Sequence, residues 1–234
     1  MATFVLVHGA WHGSWCWKRV RKALQAEGHD VFTPTLTGVG ERSHLTSPQV
    51  TLDTHVADVV NLIRWEELDD VVLCGHSYGG CVITGAADRV PERIRALVYL
   101  DAFILENGQS LHDVLPPVVA VGQAQAANDK GNGWQVPPID AEFFRVNMAD
   151  RAWVDKQCTP QSLATFQQRL KLKSTFPAAK CTHILATGYE QSPFPPFHDT
   201  AKDLGWKTVT IDCGHDVMLD RPTELVAMLR AAAR

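Results

Sequence analysis

A five-residue turn, residues 75–79 with the sequence Gly-His-Ser-Tyr-Gly, constrains this chain more than any other feature. It directly follows the apolar run 71–74 and precedes a stretch of small residues, 81–87. This order predicts a buried strand, a sharp turn and a helix. In such a turn the central serine adopts a strained backbone conformation that only small neighbours permit. Ser77 is therefore a candidate nucleophile, with its hydroxyl presented at the start of a helix.

The composition predicts one globular domain with an insertion. The chain has 234 residues, of which 45% are hydrophobic and 21% charged, and these values are ordinary for a globular protein. Its net charge of -4 provides no basic surface for nucleic acid, so a small neutral or apolar ligand is favoured. No charged and then apolar leader precedes the first strand, and no apolar stretch could cross a bilayer. We therefore expect a cytoplasmic protein that does not bind membranes.

The cysteines, histidines and glycines give no indication of a metal or cofactor site. The six cysteines are scattered without Cys-x-x-Cys pairs and are interpreted as free thiols. His8 and His12 lie in one loop, where a structural role is favoured over a metal. Gly38 and Gly40 lack the third glycine and the following helix of a dinucleotide fingerprint. The sequence thus predicts neither a metal ion nor a cofactor.

Alternating apolar runs and helical patterns predict the fold class. Strands are predicted at residues 3–7, 29–33, 71–74, 94–100, 182–187 and 207–211. Helices are predicted at residues 14–28, 52–65 and 196–204, directly after the turn at Ser77, and from about residue 220. This alternation predicts an α/β fold with a doubly wound, mainly parallel six-stranded sheet and helices on both faces. Catalytic groups then gather at the carboxyl ends of the strands.

The alternation stops between Leu105 and Pro177. Two proline pairs and a polar Gly/Asn stretch interrupt this part, and helical patterns are predicted near residues 142–148 and 160–172. We therefore expect a small helical lid insertion over the active end of the sheet. The predicted domain organisation is a core of residues 1–104 and 178–234 with residues 105–177 as this lid.

A serine hydroxyl is a poor nucleophile at neutral pH and needs a base within hydrogen-bond reach. His215 lies between the last predicted strand and the last helix, so its loop can bring the ring back to Ser77. General-base help of this kind is worth about 10²- to 10⁴-fold in rate. The neighbouring residues His76 and Asp216 are predicted to hold loops rather than to take part in the chemistry.

Taken together, these segments resemble the α/β-hydrolase superfamily. The matching segments are residues 8–17 in the first loop, 75–80 at the turn, 100–103 after the fourth strand and 214–216 around the base. Within the superfamily the chain is similar to the compact branch of plant methylesterases, hydroxynitrile lyases and related bacterial esterases. The resemblance spans the core and covers the insertion only weakly.

The resemblance implies a catalytic triad of serine, histidine and an acid. It assigns Ser77 as the nucleophile and His215 as the base, and it places the backbone N–H groups of Ala10 and Tyr78 in an oxyanion hole. Such donors stabilise the negative charge of a tetrahedral intermediate, and loss of one costs about 10²- to 10³-fold in rate.

The acid of the triad has two candidates. The branch has a carboxylate after the penultimate strand, where this chain reads Thr-Gly-Tyr-Glu-Gln-Ser at residues 187–192. Glu190 is the nearest carboxylate and is favoured. Asp101, after the preceding strand, is the alternative acid, as in superfamily members that draw their acid from that position. Either choice preserves the chain order of serine, acid and histidine.

Two reactions in this branch share the triad. The lyases need a lysine directly after the base, to stabilise departing cyanide, and a small hydroxylic residue in the first loop. This chain has Asp216 and Trp11 at those positions. A negative charge is unfavourable beside a departing anion, so ester hydrolysis through an acyl-enzyme is favoured over hydroxynitrile lyase-type C–C cleavage. A non-catalytic small-molecule receptor on the same fold is a third reading, against which the presence of both Ser77 and His215 argues.

Aromatic residues near the predicted site indicate the class of substrate. The substrate-binding residues are predicted to be Trp11, Phe103, Phe144 and Trp153. Such a lining favours small aromatic or medium-chain carboxylic esters. The predicted partner is thus a small-molecule ester, and the sequence leaves a homodimer open.

Overall fold

The computed structural model describes residues 1–174 and 177–234 and contains a six-stranded sheet. Its strands are β1 (Thr3–Val7), β2 (Asp30–Phe32), β3 (Val71–His76), β4 (Ile94–Leu100), β7 (Cys181–Ala186) and β8 (Lys207–Ile211). They lie in the order β2-β1-β3-β4-β7-β8, and every neighbouring pair is parallel. The predicted doubly wound α/β architecture is confirmed.

Helices connect the strands and cover both faces of the sheet. Those of the core are α1 (Lys18–Ala26), α2 (Leu52–Trp65), α3 (Gly79–Arg89), α8 (Pro195–Asp203), α9 (Val217–Asp220) and α10 (Pro222–Ala232). Short 3-10 turns precede α1 and β4, so the helix predicted from residue 14 begins as a 3-10 turn. Among the helices of the described residues, none has both the length and the apolar character to cross a membrane.

Side chains alternate along each strand and so enter two separate buried clusters. In β1, Val5 and Val7 join the cluster beneath α2 and α3, which we call the α2–α3 face. Phe4 and Leu6 join the cluster beneath α1 and α10, the α1–α10 face. Burial on both faces explains why the strands read as continuous apolar runs in the sequence.

The segment between β4 and β7 departs most from the sequence prediction. It contains α4 (Leu111–Val114), α5 (Pro117–Lys130), the strand pair β5 (Gln135–Val136) and β6 (Gln161–Ser162), α6 (Arg151–Gln157) and α7 (Ala164–Gln167). The helix expected near residues 142–148 is wrong, because Arg145 has a φ of 56°, which no right-handed helix accommodates. The helix expected at residues 160–172 is reduced to one turn.

The longest helix of this segment, α5, was not predicted. Its apolar residues do not form one stripe, and Val118 and Val121 are exposed. The boundaries predicted for the insertion, residues 105 and 177, stay a prediction. Residues 175–176, near its predicted end, lie outside the described part of the chain.

Candidate active site

The turn after β3 holds Ser77 in the conformation that the sequence predicts. Ser77 has a φ of 54°, in the left-handed region, and α3 begins two residues later. A Cβ atom on Gly79 would lie 2.8 Å from the carbonyl oxygens of Val7 and His8. Only glycine therefore fits where the helix approaches the end of β1, and the serine is left half-buried at the carboxyl edge of the sheet.

His215 lies in the loop between β8 and α9 and is bonded to a carboxylate from another strand end. Its Nδ1–H donates to Oδ2 of Asp101 over 2.6 Å. Asp101 directly follows β4 and is fully buried, and its Oδ1 accepts the Ala186 backbone N–H at 3.1 Å. The His215 backbone N–H donates to the Phe144 carbonyl over 2.9 Å. Ring and backbone of the histidine are thus both fixed.

Burial opposes charge on both partners of this bond. It raises the pKa of Asp101 well above its usual range and lowers the pKa of His215 to about 4. His215 is therefore neutral at pH 7. Because its Nδ1 carries the proton that Asp101 accepts, Nε2 is the basic nitrogen.

Backbone contacts bring Ser77 and the bonded pair of His215 and Asp101 to one edge of the sheet. The Ser77 N–H donates to the Leu100 carbonyl over 3.2 Å, next to Asp101 in the chain. His76 donates from Nε2 to the His215 carbonyl over 3.0 Å, and the two rings lie 4.3 Å apart. Within the described residues, the Ser77 hydroxyl itself makes no hydrogen bond.

Glu190, favoured from the sequence as the acid, is not the partner of His215, and that preference is wrong. Its side chain is 88% exposed and lies 4.0 Å from Nη2 of Arg145. The preceding residue, Tyr189, is buried and faces the His215 ring at 6.0 Å. The loop after β7 therefore presents the Tyr189 ring to His215 and the Glu190 carboxylate to solvent. The contact required by the alternative, Asp101, is present.

Two backbone N–H groups near Ser77 have no acceptor in the part of the chain that the structure describes. They belong to Ala10 and Tyr78, the residues expected to form the oxyanion hole, and both residues are buried. The Tyr78 side chain points elsewhere, because its hydroxyl bonds His55 at 2.9 Å within the core. The oxyanion role of the two amides stays a prediction.

Aromatic rings surround the His215 side chain. Phe194 stacks on it with centroids 4.9 Å apart, and Phe144 lies 5.2 Å away. Trp11 is 6.3 Å from Phe144, and Phe103 is 4.8 Å from Phe194. Three of the four predicted lining residues thus belong to one connected group around His215.

Trp153, the fourth predicted lining residue, is separated from this group. It packs edge-on against Trp15 at 5.0 Å, in the cluster of the α1–α10 face. Phe166 of α7, in contrast, is fully buried, 5.9 Å from Trp11 and 5.6 Å from Tyr78. Helical spacing alone does not indicate which aromatic residue of an insertion faces the core.

The described part of the chain has a cavity away from Ser77 and no metal-binding cluster. In residues 1–174 and 177–234, no group of three or more His, Cys, Asp or Glu side chains is arranged to hold a metal ion. A cavity of about 890 Å³ is lined by Thr84, Tyr99, Leu172 and Trp206 among others. Ser77 and His215 are absent from that lining, so this cavity is separate from the site.

Comparison with known proteins decides the family. The profile of the alpha/beta hydrolase family matches residues 4–228. The chain belongs to this family. A carbendazim hydrolyzing esterase of Nocardioides sp. is 51% identical to this hydrolase over 99% of both chains. The putative chloroplastic methylesterase 14 of Arabidopsis thaliana is 31% identical, over 62% of this chain and 43% of its own.

Solved structures agree with the family assignment. An extracellular alpha/beta-hydrolase from Paenibacillus, described as structurally and functionally homologous to tobacco salicylic acid binding protein 2, superimposes with a TM-score of 0.85. It is 27% identical to this hydrolase, and all of both chains is covered. The esterases among the relatives support ester hydrolysis as the class of reaction.

One polar residue of this hydrolase had no signal in the sequence. Gln161 of β6 is buried, and its Oε1 accepts the Trp11 backbone N–H over 2.9 Å. It thereby ties the insertion to the loop after β1. A glutamine within an irregular segment has no spacing or motif that would reveal such a contact.

Proposed function

We propose that this protein is a serine carboxylic ester hydrolase that works through an acyl-enzyme. The observation that supports this most directly is the 2.6 Å bond between His215 and buried Asp101, beside a serine with a φ of 54°. Ser77 is the nucleophile, His215 the general base and Asp101 the acid that fixes the imidazole tautomer. The absence of a serine–histidine hydrogen bond is compatible with this, since such bonds often tighten only when substrate is bound.

The proposed reaction proceeds in two symmetrical halves. Ser77 Oγ attacks the ester carbonyl carbon while its proton moves to Nε2 of His215. The new oxyanion accepts hydrogen bonds from the N–H groups of Ala10 and Tyr78. The C–O bond to the alcohol then breaks, and His215 returns the proton to the leaving oxygen. Water repeats the sequence on the acyl-enzyme, with His215 again as base, and releases the acid.

Rings around the base indicate the substrates. Trp11, Phe103 and Phe144 offer flat apolar surfaces near His215, which favour small aromatic or medium-chain esters. The insertion supplies Phe144 and Phe166, and we propose that it acts as the lid of this pocket. Carbendazim, which joins a flat aromatic ring to a methyl carbamate, is a test substrate because of the 51% identical relative.

A hydroxynitrile lyase is a weaker candidate. Departing cyanide would need a cation near the base, but the residue after His215 is Asp216, whose carboxylate is fully buried. A receptor without turnover is the other candidate. It would not require the Asp101–His215 bond, which fixes a basic nitrogen.

The proposal is tested by activity and by covalent labelling. We expect wild-type protein to hydrolyse p-nitrophenyl acetate and to gain one adduct on Ser77 with a sulfonyl fluoride, detected by intact mass and peptide mapping. Ser77→Ala should lose both the adduct and at least about 10³-fold in kcat/KM, since the nucleophile is removed. Carbendazim and mandelonitrile are the further substrates in this assay.

Wild-type protein that hydrolyses no ester and takes no adduct would overturn the hydrolase proposal in favour of a receptor. Faster cleavage of mandelonitrile than of any ester would favour the lyase instead.

A further inference from the structure

A buried pair of charged side chains lies next to the proposed site but takes no part in the mechanism above. His12, in the loop after β1, and Asp216, after the base, are joined by a 3.1 Å contact between Nε2 and Oδ2. Their side chains are 4% and 0% exposed. The other ring nitrogen of His12, Nδ1, lies 2.8 Å from the carbonyl oxygen of Ala10.

The geometry determines the protonation state of His12 once Asp216 is a carboxylate, the form that the lowered pKa of Asp216 favours. A carbonyl oxygen and a carboxylate are both acceptors, so each requires an N–H from the ring. A neutral imidazole carries only one N–H, and one of the two short contacts would then be a repulsion between lone pairs. His12 is therefore an imidazolium that donates from both nitrogens.

Other buried histidines differ from His12 in this respect. His8 donates from Nδ1 to the Gly9 carbonyl and accepts the Leu36 backbone N–H at Nε2. His55 donates to the Thr37 carbonyl and can accept the proton of the Tyr78 hydroxyl. Each of these rings is satisfied in its neutral form, which is also the form that burial favours.

The contacts of His8 and His12 fix two consecutive peptide groups. The first peptide group joins Gly9 to Ala10 and carries the Ala10 N–H. Its carbonyl oxygen, on Gly9, accepts a hydrogen bond from His8 over 2.8 Å. The next peptide has its carbonyl, on Ala10, bonded by His12 at 2.8 Å, and its N–H, on Trp11, bonded by Gln161 at 2.9 Å. Trp11 has a φ of 64°, so this loop is strained and depends on such contacts.

We propose that His12 and Asp216 are a positioning pair, a buried imidazolium and carboxylate that ties the loop after β1 to the His215 loop and so holds the Ala10 N–H in the oxyanion hole. The pair acts through Ala10 and does not touch substrate. This inference rests on the proposed function. It gives Asp216 the role of anchoring the loop that presents an oxyanion donor.

The electrostatics of the surroundings agree with this assignment. Burial opposes the charge, but Asp216 outweighs it and raises the pKa of His12 well above its usual range, and His12 in turn lowers the pKa of Asp216. The titratable groups that face the pair from other elements are His8, Cys16, His76, Cys158 and His215. Burial keeps the other three histidines neutral, so Asp216 is the charge that stabilises His12.

The protonation state can be measured without any activity assay. In wild-type protein labelled with ¹⁵N-histidine, we expect one histidine at pH 7.5 with both ring nitrogens protonated, and its signal should be missing in His12→Gln. If no such doubly protonated ring exists, or if it persists in His12→Gln, the inference is overturned.

The positioning role is tested with Asp216→Asn, which keeps an acceptor but removes the charge. His12 then loses its proton at lower pH. In wild-type protein we expect kcat to fall at alkaline pH when His12 loses this proton. In the variant this fall, the alkaline limb of the kcat profile, should occur at least about one pH unit lower. At pH 8 we expect kcat to fall at least about 10-fold with KM within about threefold, because the lost contact serves the transition state. Asp212→Asn, an exposed position in the same loop, is the matched control and should match wild type.

An unchanged alkaline limb in folded Asp216→Asn, or a loss confined to KM, would contradict the positioning role. Should the variant not fold, the ¹⁵N measurement on wild-type protein tests whether His12 is the imidazolium that the proposed pair requires. Failure of the hydrolase proposal is recognised separately, as absence of turnover and of the Ser77 adduct in wild-type protein.

Discussion

Asp101 can accept a hydrogen bond from His215 because β4 ends beside the His215 loop. The carboxylate emerges at the carboxyl edge of the sheet between β3 and β7, and the Ala186 N–H holds one oxygen while His215 takes the other. A carboxylate buried in this way has no solvent to satisfy it, so both hydrogen bonds are needed. An exposed side chain such as Glu190 could supply neither the fixed geometry nor the low-dielectric field.

Substitution of the two candidate acids distinguishes them. We expect Asp101→Asn to lower kcat/KM by about 10³- to 10⁴-fold, because the amide no longer fixes the productive tautomer of His215. Glu190→Gln is the matched exposed variant and should stay within about twofold of wild type. Steady-state kinetics with p-nitrophenyl acetate provide the measurement. A larger loss of kcat/KM in Glu190→Gln than in Asp101→Asn would identify Glu190 as the acid instead.

Secondary-structure elements differ in how well local sequence defines them. Three strands, β1, β4 and β8, and helix α2 occur at the predicted residues, because continuous apolar runs or a clear apolar stripe are bounded by turn residues. The insertion was poorly predicted because tertiary contacts rather than local patterns order it. Phe144, for example, is held in a turn by packing on His215.

Helix α5 offers a stability prediction because Gly122 lies in its interior. A Cβ atom there would meet nothing within 4 Å, and the position is exposed. Gly122→Ala should raise the free energy of unfolding by about 0.5–1 kcal/mol, since alanine loses less backbone entropy in a helix. Urea unfolding measures this difference. The opposite sign would show that α5 is not helical at residue 122.

The protein as a whole keeps several histidines neutral by burial. Burial lowers the pKa of His8 to about 3, and that of His55, His183 and His215 to about 4 each. In the unfolded chain these rings titrate near 6.5. Their contribution to stability is therefore complete above pH 6.5 and is lost as the pH falls toward 4.

We accordingly expect the free energy of unfolding, measured with urea, to decrease between about pH 6.5 and pH 4.5 by about 1.4 kcal/mol per pH unit for each such histidine. His183→Gln should reduce this slope by about one proton, because Gln does not titrate. His44→Gln, at an exposed position, serves as the control and should leave the slope unchanged. Equal midpoints at pH 7 and pH 4.5 would be inconsistent with buried neutral rings.

The sequence predicted the fold and part of the site for distinct reasons. The turn at Ser77 and the position of His215 follow from local patterns, so both could be placed before any coordinates. The choice between Asp101 and Glu190 depends on which way one loop turns, and a single residue of register, with Tyr189 inward and Glu190 outward, decides it. Contacts such as Gln161 to Trp11 join distant segments and leave no trace in spacing.

The position of Asp101 before the insertion has a consequence for protein engineering. The proposed nucleophile, acid and base, Ser77, Asp101 and His215, all lie close to the ends of core strands, whereas residues 105–174 contribute mainly apolar surface to the surroundings of His215. A chimera could replace that stretch with the corresponding segment of another family member. It should then have a different ester preference while Ser77, Asp101 and His215 stay in place. The new segment would need a side chain that accepts the Trp11 N–H and a ring that packs on His215, as Gln161 and Phe144 do here.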